Sequence, residues 1–313
     1  MTRVAPAEVR HVTCVGAGVI GGGWVAYFLA RGFQVTAWDP GAGAEERLRL
    51  IVDSAWPALT ELGLHPDADR ANLIFEPDLA TAMSRAEFVQ ESAPEDLDLK
   101  IQLLADIDKV TPVDVVVSSS TSGYGMSEMQ VACDHPERMV VGHPFNPPYL
   151  IPLVEVVGGK QTADDAVAWA SDFFRHIGKS VITMDDEVPG FIANRLQEAL
   201  WREALHMVAA GEATVEQIDL SITDGPGLRW PIHGPMLTFH LAGGQGGMAH
   251  MLDHFGPSLK SPWTRLEAAE LTPELRDAVV AGVDREAGDR TIDDLIAERD
   301  AGIIAIQRAL GRV

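Results

Sequence analysis

Four polar side chains could carry out acid–base chemistry. Two are predicted at the ends of strands, one within a strand and one at the start of a helix. They are Ser122, His143, Glu155 and Asn194. Ser122 closes the run Ser119–Ser122 after one apolar strand, and His143 follows the next strand in Gly-His-Pro-Phe-Asn-Pro. Ligands bind beyond the carboxyl ends of strands in open α/β sheets. We therefore expect this hydroxyl and this imidazole at one edge of a sheet.

The pairing of a histidine with a carboxylate is what oxidation of an alcohol requires. The imidazole takes the hydroxyl proton as hydride leaves the carbon, and the carboxylate orients the ring and stabilises its cation. Glu155 lies in the apolar run Leu153–Val157, where an unpaired carboxylate is costly. Taken singly, these residues are typical of turns, edge strands and helix caps. As a set, they favour a dehydrogenase.

A glycine-rich turn precedes these residues and predicts the site of a dinucleotide. The apolar strand 12–15 runs directly into glycines with G-x-G-x-x-G spacing, and a helix over about 19–31 follows. The glycines allow a tight turn and close approach of a pyrophosphate, and the helix directs free N–H groups at it. The residues expected to contact the cofactor are Gly16, Ala17, Gly18, Val19, Ile20 and Gly21.

The acid after the second strand selects the cofactor. Strand 33–38 ends at Asp39, 23 residues beyond Gly16, where a carboxylate accepts hydrogen bonds from the adenosine ribose. Asp39 would repel a 2′-phosphate, and Pro40 to Ala44 contain no arginine. Arg47, the nearest cation, lies on the next predicted helix. NAD is therefore favoured over NADP.

Alternation of strands and helices defines an N-terminal Rossmann-type domain, and only helices follow it. The α/β pattern predicts a mostly parallel sheet with helices on both faces. We assign residues 1–186 to an NAD-binding domain and 187–313 to an all-helical substrate and dimerisation domain, with the active site in the cleft between them. Pro189-Gly190 is predicted to open a long helix that ends at Gly211. The predicted strands are 12–15, 34–38, 73–75, 87–90, 115–118, 139–142, 153–157 and 180–184.

The composition excludes several classes of protein. The 313 residues carry a formal charge of −22, which argues against nucleic acid, because binding phosphates needs clustered Lys and Arg. No apolar run approaches the ~20 residues of a membrane span, and the N-terminus lacks a signal-peptide core. Two cysteines make no disulfide framework, so a reduced cytoplasmic protein is expected.

Five motifs in combination resemble the 3-hydroxyacyl-CoA dehydrogenase family. They are 16–21, Glu-Ser-Ala-Pro-Glu at 91–95 with Lys100, 119–122, 142–147 and Gly-Phe-Ile-Ala-Asn-Arg at 190–195. The resemblance implies that His143 is the base, that Glu155 is its partner, and that Ser122 and Asn194 hold the substrate oxygen. It also implies NAD as cofactor, no metal, a homodimer, and NAD contacts from Glu95, Lys100 and Asn146.

The substrate is expected to be a small zwitterionic or anionic 3-hydroxy acid. No lysine precedes Lys100, and segment 41–85 has four arginines against eight acids, which disfavours the phosphates of coenzyme A. Segments 198–206, 227–230 and 241–244 are similar to family members that act on L-carnitine, so we expect oxidation of its C3 hydroxyl to 3-dehydrocarnitine. Its ammonium needs aromatic faces and its carboxylate a cation. The candidates are Tyr149, Phe191, Trp230, Arg195 and Arg229.

Two alternatives remain open at this level. The residues at 119–122 and 143–149 are shared with relatives that oxidise L-gulonate, so another short 3-hydroxy acid is possible as the substrate. Segment Pro231–His233 departs from the pattern expected after Trp230. Because this segment could line the substrate pocket, the identity of the substrate stays open. The chain could also be a non-catalytic, crystallin-like NAD-binding protein, although the intact set of four polar residues argues against this.

Overall fold

The computed structural model describes residues 3–256, 264–265 and 269–312. The chain divides between Arg195 and Leu196 into two compact units, each treated separately below. The predicted domain boundary between residues 186 and 187 stays a prediction.

The first unit contains one eight-stranded sheet among the described residues. Strand order is β3-β2-β1-β4-β5-β6-β7-β8. Every neighbouring pair is parallel except β6 and β7, so the last two strands run against the other six. The predicted mostly parallel Rossmann-type sheet is confirmed. The strands are β1 (His11–Val15), β2 (Gln34–Trp38), β3 (Leu73–Phe75), β4 (Phe88–Glu91), β5 (Val116–Ser119), β6 (Met139–Pro144), β7 (Leu153–Gly158) and β8 (Ser180–Met184).

Helices cover both faces of this sheet because its strands are apolar on both sides. Alternate strand residues belong to different buried clusters, with Val116 and Val140 in one and Val117 and Val141 in the other. Such two-sided burial is typical of parallel strands. The helices are α1 (Val19–Ala30), α2 (Ala44–Leu62), α3 (Leu79–Met83), α4 (Leu97–Val110), α5 (Met126–Met129) and α6 (Asp164–His176).

All the regular secondary structure in the described part of the second unit is helical. Its helices continue from α7, which begins in the first unit: α7 (Ala193–Ala209), α8 (Val215–Thr223), α9 (Pro235–Ala242), α10 (Gly247–Phe255), α11 (Pro273–Ala287) and α12 (Ile292–Ala309). Over residues 3–256, 264–265 and 269–312, no helix is both long and apolar enough to cross a bilayer.

The start of α7 differs from the prediction. Pro189-Gly190 does not open the helix, which begins at Ala193. Gly190 and Phe191 both adopt left-handed backbone conformations, with φ of 69° and 55°. Two consecutive residues of this kind cannot belong to a right-handed helix. The segment is therefore a turn that leads into α7.

Candidate active site

His143 and Glu155 are directly opposite each other on the antiparallel pair β6 and β7. Side chains opposite each other on such a pair lie on the same face of the sheet. His143 Nδ1 lies 2.9 Å from Glu155 Oε2, and the two residues are only 2% and 0% exposed. The register of these two strands thus brings a base and an acid together.

The second carboxylate oxygen of Glu155 binds the start of α7. Oε1 accepts hydrogen bonds from the backbone N–H groups of Ile192 at 2.9 Å and Ala193 at 3.0 Å. Burial alone would raise the pKa of Glu155, but the hydrogen bonds from His143, Ala193 and Ile192 outweigh it and lower the pKa below its usual value. An ionised Glu155 can only accept, so Nδ1 of His143 carries the proton and Nε2 is left as the basic nitrogen.

Two phenylalanines hold the imidazole ring. The ring of Phe145 lies 4.8 Å and that of Phe191 5.2 Å from the ring of His143, measured between centroids. Phe191 is 1% exposed. Its position supports His143 and leaves little of its face free for the ammonium group suggested by the sequence.

Ser122 and Asn194 are also brought together in the first unit. Asn194 Nδ2 donates a hydrogen bond to the carbonyl oxygen of Ser122 at 2.9 Å. The side chain of Ser122 is exposed at the end of the segment that follows β5. Asn194, in the first turn of α7, therefore lies next to the backbone of Ser122, in the loop after β5.

Glu95 organises the loop that carries Ser122. Its Oε1 accepts hydrogen bonds from Thr121 Oγ1 at 2.7 Å, from Ser122 N at 2.8 Å and from Gly123 N at 3.1 Å. Three donors on one carboxylate oxygen fix the local backbone. The role of Glu95 as a contact for NAD stays a prediction.

A buried ion pair lies behind Glu95. Lys100 is 1% exposed, and its Nζ lies 3.0 Å from Oε1 of the fully buried Glu91 and 3.5 Å from Oε2 of Glu95. Lys100 positions both carboxylates, and its role as a contact for NAD stays a prediction. Sequence analysis did not single out Glu91, although it opens the motif at 91–95 and lies in an apolar strand.

The glycine turn has the shape that a dinucleotide pyrophosphate needs. A Cβ atom on Gly21 would lie 2.0 Å from the carbonyl oxygen of Gly16, and Gly16 itself has φ of 93°. A Cβ atom on Gly18 would meet nothing within 4 Å, so open space lies beside that backbone. Helix α1 begins at Val19 without a side-chain cap, so its first N–H groups receive no bond from the side chain at the N-cap. The predicted geometry of the turn is thus present.

A buried lysine supports the loop that follows His143. Lys179 Nζ donates to the carbonyl oxygens of Pro148 and, at 3.2 Å, Ile151, and it lies 3.8 Å from the centroid of the Tyr27 ring. Burial, with a smaller effect from Arg31, lowers the pKa of Lys179 well below its usual value. The loop it holds carries the exposed Asn146 and the half-buried Tyr149. Nothing in the sequence around residue 179 signals this role.

The remaining candidate substrate residues lie in different parts of the chain. Arg195 is exposed in the first turn of α7. Arg229 is exposed and Trp230 is half-buried, and both belong to the second unit. Their contacts with a substrate stay predictions.

The fold and the glycine turn define a Rossmann-type dehydrogenase that uses NAD. Residues 11–187 match the NAD binding domain of 3-hydroxyacyl-CoA dehydrogenase, and residues 190–288 match its C-terminal domain. The chain belongs to the 3-hydroxyacyl-CoA dehydrogenase family, as the sequence motifs predicted.

Close relatives cover almost the whole chain. An L-carnitine dehydrogenase from Streptomyces coelicolor is 69% identical over 99% of this chain and 97% of its own length. Another, from Nocardiopsis dassonvillei, is 68% identical over 99% and 94%. Among solved structures, an NAD+-dependent dismutase, 5-formyl-3-hydroxy-2-methylpyridine 4-carboxylic acid 5-dehydrogenase, superposes with a TM-score of 0.83 at 30% identity, over 97% of this chain and 99% of that one.

Proposed function

We propose that this protein oxidises the C3 hydroxyl of L-carnitine to 3-dehydrocarnitine with NAD. The observation that carries the proposal is the 69% identity, over 99% of the chain, to an L-carnitine dehydrogenase. The site supports it, because a hydrogen-bonded His143–Glu155 pair occurs in the same unit as the glycine turn. NAD supplies the acceptor for the hydride when it is bound.

His143 is the general base of this reaction. Its Nε2 takes the proton of the substrate hydroxyl, while Nδ1–H donates to Glu155 and keeps the ring in the required tautomer. The positive charge that forms on the imidazole is balanced by the carboxylate 2.9 Å away. Glu155 stays ionised because its other oxygen accepts two backbone N–H groups. Within the pair, His143 is therefore the proton acceptor and Glu155 fixes the orientation of its ring.

Ser122 and Asn194 hold the substrate oxygen. The Oγ of Ser122 and the amide of Asn194 are both capable of hydrogen bonding to a hydroxyl or carbonyl oxygen. The bond from Asn194 Nδ2 to the Ser122 carbonyl keeps the two residues together. They complete the group of four that the sequence analysis selected.

The substrate carries a trimethylammonium group and a carboxylate, and each needs a partner. An ammonium without N–H cannot donate a hydrogen bond, so an aromatic face is the usual contact. Tyr149 and Trp230 are the aromatic candidates because both are only half-buried, whereas Phe191 is buried. Arg195 and Arg229, both exposed, are the candidates for the carboxylate.

A rate panel with purified protein tests the substrate. We expect NADH formation to be fastest with L-carnitine, compared with L-gulonate, 3-hydroxybutyrate and 3-hydroxybutyryl-CoA. Trimethylaminobutyrate, which has the same charges without the hydroxyl, should inhibit competitively and yield no NADH. A higher kcat/KM for L-gulonate would reassign the substrate. Tight NAD binding without NADH from any of these compounds would instead favour a non-catalytic role.

The enzyme is a homodimer whose second unit is covered by a second copy. Among the described residues of that unit, Leu275 and Ile304 are the only large hydrophobic side chains that are buried. Many others are at least half exposed, which is unusual for a monomeric domain. They are Leu196, Trp201, Leu220, Leu228, Ile232, Met236, Leu237, Phe239, Leu241, Leu252, Phe255, Leu271 and Ile292.

The dimer has a measurable consequence for stability. Light scattering is expected to give twice the chain mass of 33.8 kDa at micromolar concentration. Because association stabilises the folded chain by mass action, the unfolding temperature should rise with protein concentration. A monomeric mass together with an unfolding temperature that does not depend on concentration would contradict the dimer.

A cytoplasmic location fits the chemistry of the chain. Cys14 and Cys133 are both free thiols, and burial raises the pKa of each above its usual value. Thiols that are largely protonated react slowly, and free cysteines are the rule where the compartment is reducing. Recovery of the activity with the cytoplasmic fraction of the source cells would test this location.

A further inference from the structure

A cavity of about 460 Å³ lies in the first unit, away from the glycine turn and from His143. Its described wall includes Arg10, Arg31, His65 and His176, against a single carboxylate. The whole chain has 24 lysines and arginines against 46 acids, so a wall with more basic than acidic side chains is unusual for it. Pockets that take small molecules typically enclose about 300–1,000 Å³. The cavity is thus large enough for a small anionic ligand.

The cavity is separate from the predicted cofactor site. Arg10 precedes β1 and the glycine turn follows it, so the length of β1, about 16 Å, lies between them. Asp39 lies at the end of the glycine turn, where its Oδ2 accepts a hydrogen bond from Ala17 N at 2.8 Å. Arg31 follows the far end of α1, about 18 Å from the start of that helix. A ligand in the cavity therefore does not compete with NAD.

The guanidinium groups of Arg10 and Arg31 are not neutralised by ion pairs. In the part of the chain that the structure describes, no carboxylate lies within ion-pair distance of either group. Arg10 Nη1 donates to the carbonyl oxygens of Ala7 at 3.1 Å and Val9 at 2.8 Å, which fixes the side chain and leaves its charge unbalanced. The carboxylate of Glu87 binds the backbone N–H of Arg10 instead of its guanidinium. Both arginines thus keep donors for another anion.

Arg31 is held next to a second, buried cation. Its Cζ lies 5.2 Å from the centroid of the Tyr27 ring, and Lys179 Nζ lies 3.8 Å from the same centroid. Repulsion from Arg31 adds to the effect of burial in lowering the pKa of Lys179 well below its usual value. An anion bound to Arg31 would offset this repulsion.

Two glycines allow basic side chains to lie close to the backbone of the cavity wall. A Cβ atom on Gly178 would lie 3.2 Å from Nη2 of Arg31, and one on Gly32 would lie 2.6 Å from Nδ1 of His65. Nδ1 of His65 accepts a hydrogen bond from the backbone N–H of Asp67 at 3.2 Å. The proton of the neutral ring is therefore on Nε2, which can donate to a ligand.

The ends of helices account for only part of this basic wall. Cations are favoured at helix C-termini, because the macrodipole is negative there. Arg31 follows α1, and His176 lies in the last turn of α6. Arg10, however, precedes a strand, and His65 lies beyond Gly63, which ends α2. These two residues serve no helix end, so a ligand explains the set better.

We propose that this cavity binds a small molecule that carries a phosphate group, held by Arg10 and Arg31. A phosphate has about two negative charges and at least three free oxygens, so it can accept hydrogen bonds from two guanidinium groups at once. A monocarboxylate has one charge and two oxygens, which a single guanidinium satisfies. His65 and His176 provide further donors at the wall.

Calorimetric titration of inorganic phosphate into the protein tests the site. The titration is done at pH 8, where a phosphate carries nearly its full double charge, and with saturating NADH, because the glycine turn could itself bind phosphate. Ionic strength is kept constant with NaCl. Binding heat is preferred to the unfolding temperature, because phosphate also stabilises proteins through exclusion from their surface. We expect saturable binding of one phosphate per chain.

Three variants locate the bound phosphate. Arg10→Met and Arg31→Met should each weaken binding at least about 10-fold, as expected for the loss of a charged hydrogen-bond donor. Arg49→Met is the matched control, because Arg49 lies on α2 outside the cavity and already pairs with Glu45 at 2.8 Å. It should change phosphate binding less than about 3-fold. If Arg31→Met does not fold, Arg31→Lys serves instead and should weaken binding because it lacks the fork of donors.

Two further compounds define the ligand. Acetate should bind at least about 10-fold more weakly than phosphate, since it engages one guanidinium. Glycerol 3-phosphate binding more tightly than inorganic phosphate would identify a phosphate ester as the natural ligand, and equal binding would identify the free ion.

Four results would overturn the inference. They are the absence of saturable phosphate binding by the wild type, wild-type binding in both arginine variants of the cavity, an equal loss in Arg49→Met, and acetate binding as tight as that of phosphate. The titration needs neither substrate nor turnover. Its result is therefore separate from the choice of L-carnitine as substrate.

Discussion

Replacement of His143 by alanine is expected to lower kcat by at least about 100-fold, the usual effect of losing a general base. The variant removes Nε2, the only basic nitrogen that the buried pair offers, while Glu155 keeps its bonds to Ile192 and Ala193. Among the described residues, no hydrogen bond or ring contact joins this imidazole to the glycine turn or to Asp39. NAD binding should therefore be unchanged. Steady-state rates with L-carnitine and a fluorescence titration of NADH measure the two quantities.

A partly exposed histidine of the same unit provides the control. His135 pairs with Glu137 at 3.4 Å on the surface, and its side chain is 44% exposed. His135→Ala should keep wild-type kcat and wild-type cofactor affinity. If His143→Ala fails to fold, His143→Gln fills the same space without a base of similar strength. Wild-type kcat in a folded variant at position 143 would remove the proposed mechanism.

The parallel part of the sheet could be predicted from the sequence because each of its strands is marked by a local pattern. Strand 115–118 was predicted where β5 (Val116–Ser119) lies, since a strand buried on both faces is an unbroken apolar run. The glycine spacing likewise fixes a turn within six residues. The short helices Leu79–Met83 and Met126–Met129 were not predicted. Four or five residues are too few to show a helical period.

The geometry of the His143–Glu155 pair depends on a register that no local pattern reveals. The sequence places each residue in or beside a strand, but β6 and β7 form the one antiparallel pair among the described strands. A slip of one residue would turn Glu155 to the other face of the sheet. The residue types and the family resemblance both suggested the pair, and the structure gives a distance of 2.9 Å between His143 Nδ1 and Glu155 Oε2.

The start of α7 shows how a distant residue decides a local boundary. Pro189-Gly190 is a plausible helix start by sequence rules. The chain instead turns at Gly190 and Phe191, and the first N–H groups of α7 are received by Glu155, which is 37 residues from Ile192 in sequence. Because the capping carboxylate is so distant in sequence, no residue near the start of α7 indicates where the helix begins. The same carboxylate thus binds the imidazole of the neighbouring strand and the start of one helix.

Replacement of Glu155 should separate stability from catalysis. Glu155→Ala leaves His143 Nδ1 and the N–H groups of Ile192 and Ala193 without partners in a buried site. Breaking a buried pair in this way typically costs about 3–5 kcal/mol of unfolding free energy. Glu155→Gln can still accept from both N–H groups through Oε1. Its amide nitrogen, however, donates to Nδ1 and moves the ring proton to Nε2. We expect Glu155→Gln to unfold at nearly the wild-type urea concentration while losing at least about 100-fold in kcat.

The pH dependence of stability provides an independent readout of the same carboxylate. Because the folded protein lowers the pKa of Glu155, the ionised group stabilises the fold above its usual pKa of 4.5. That stabilisation is lost as the pH falls through the lowered pKa. The difference in unfolding free energy between wild type and Glu155→Ala should therefore shrink as the pH falls below about 4. A difference in unfolding free energy that persists unchanged in acid would mean that folding does not favour the ionised form of Glu155. A Glu155→Gln variant with full kcat would mean that the carboxylate does not set the tautomer of His143.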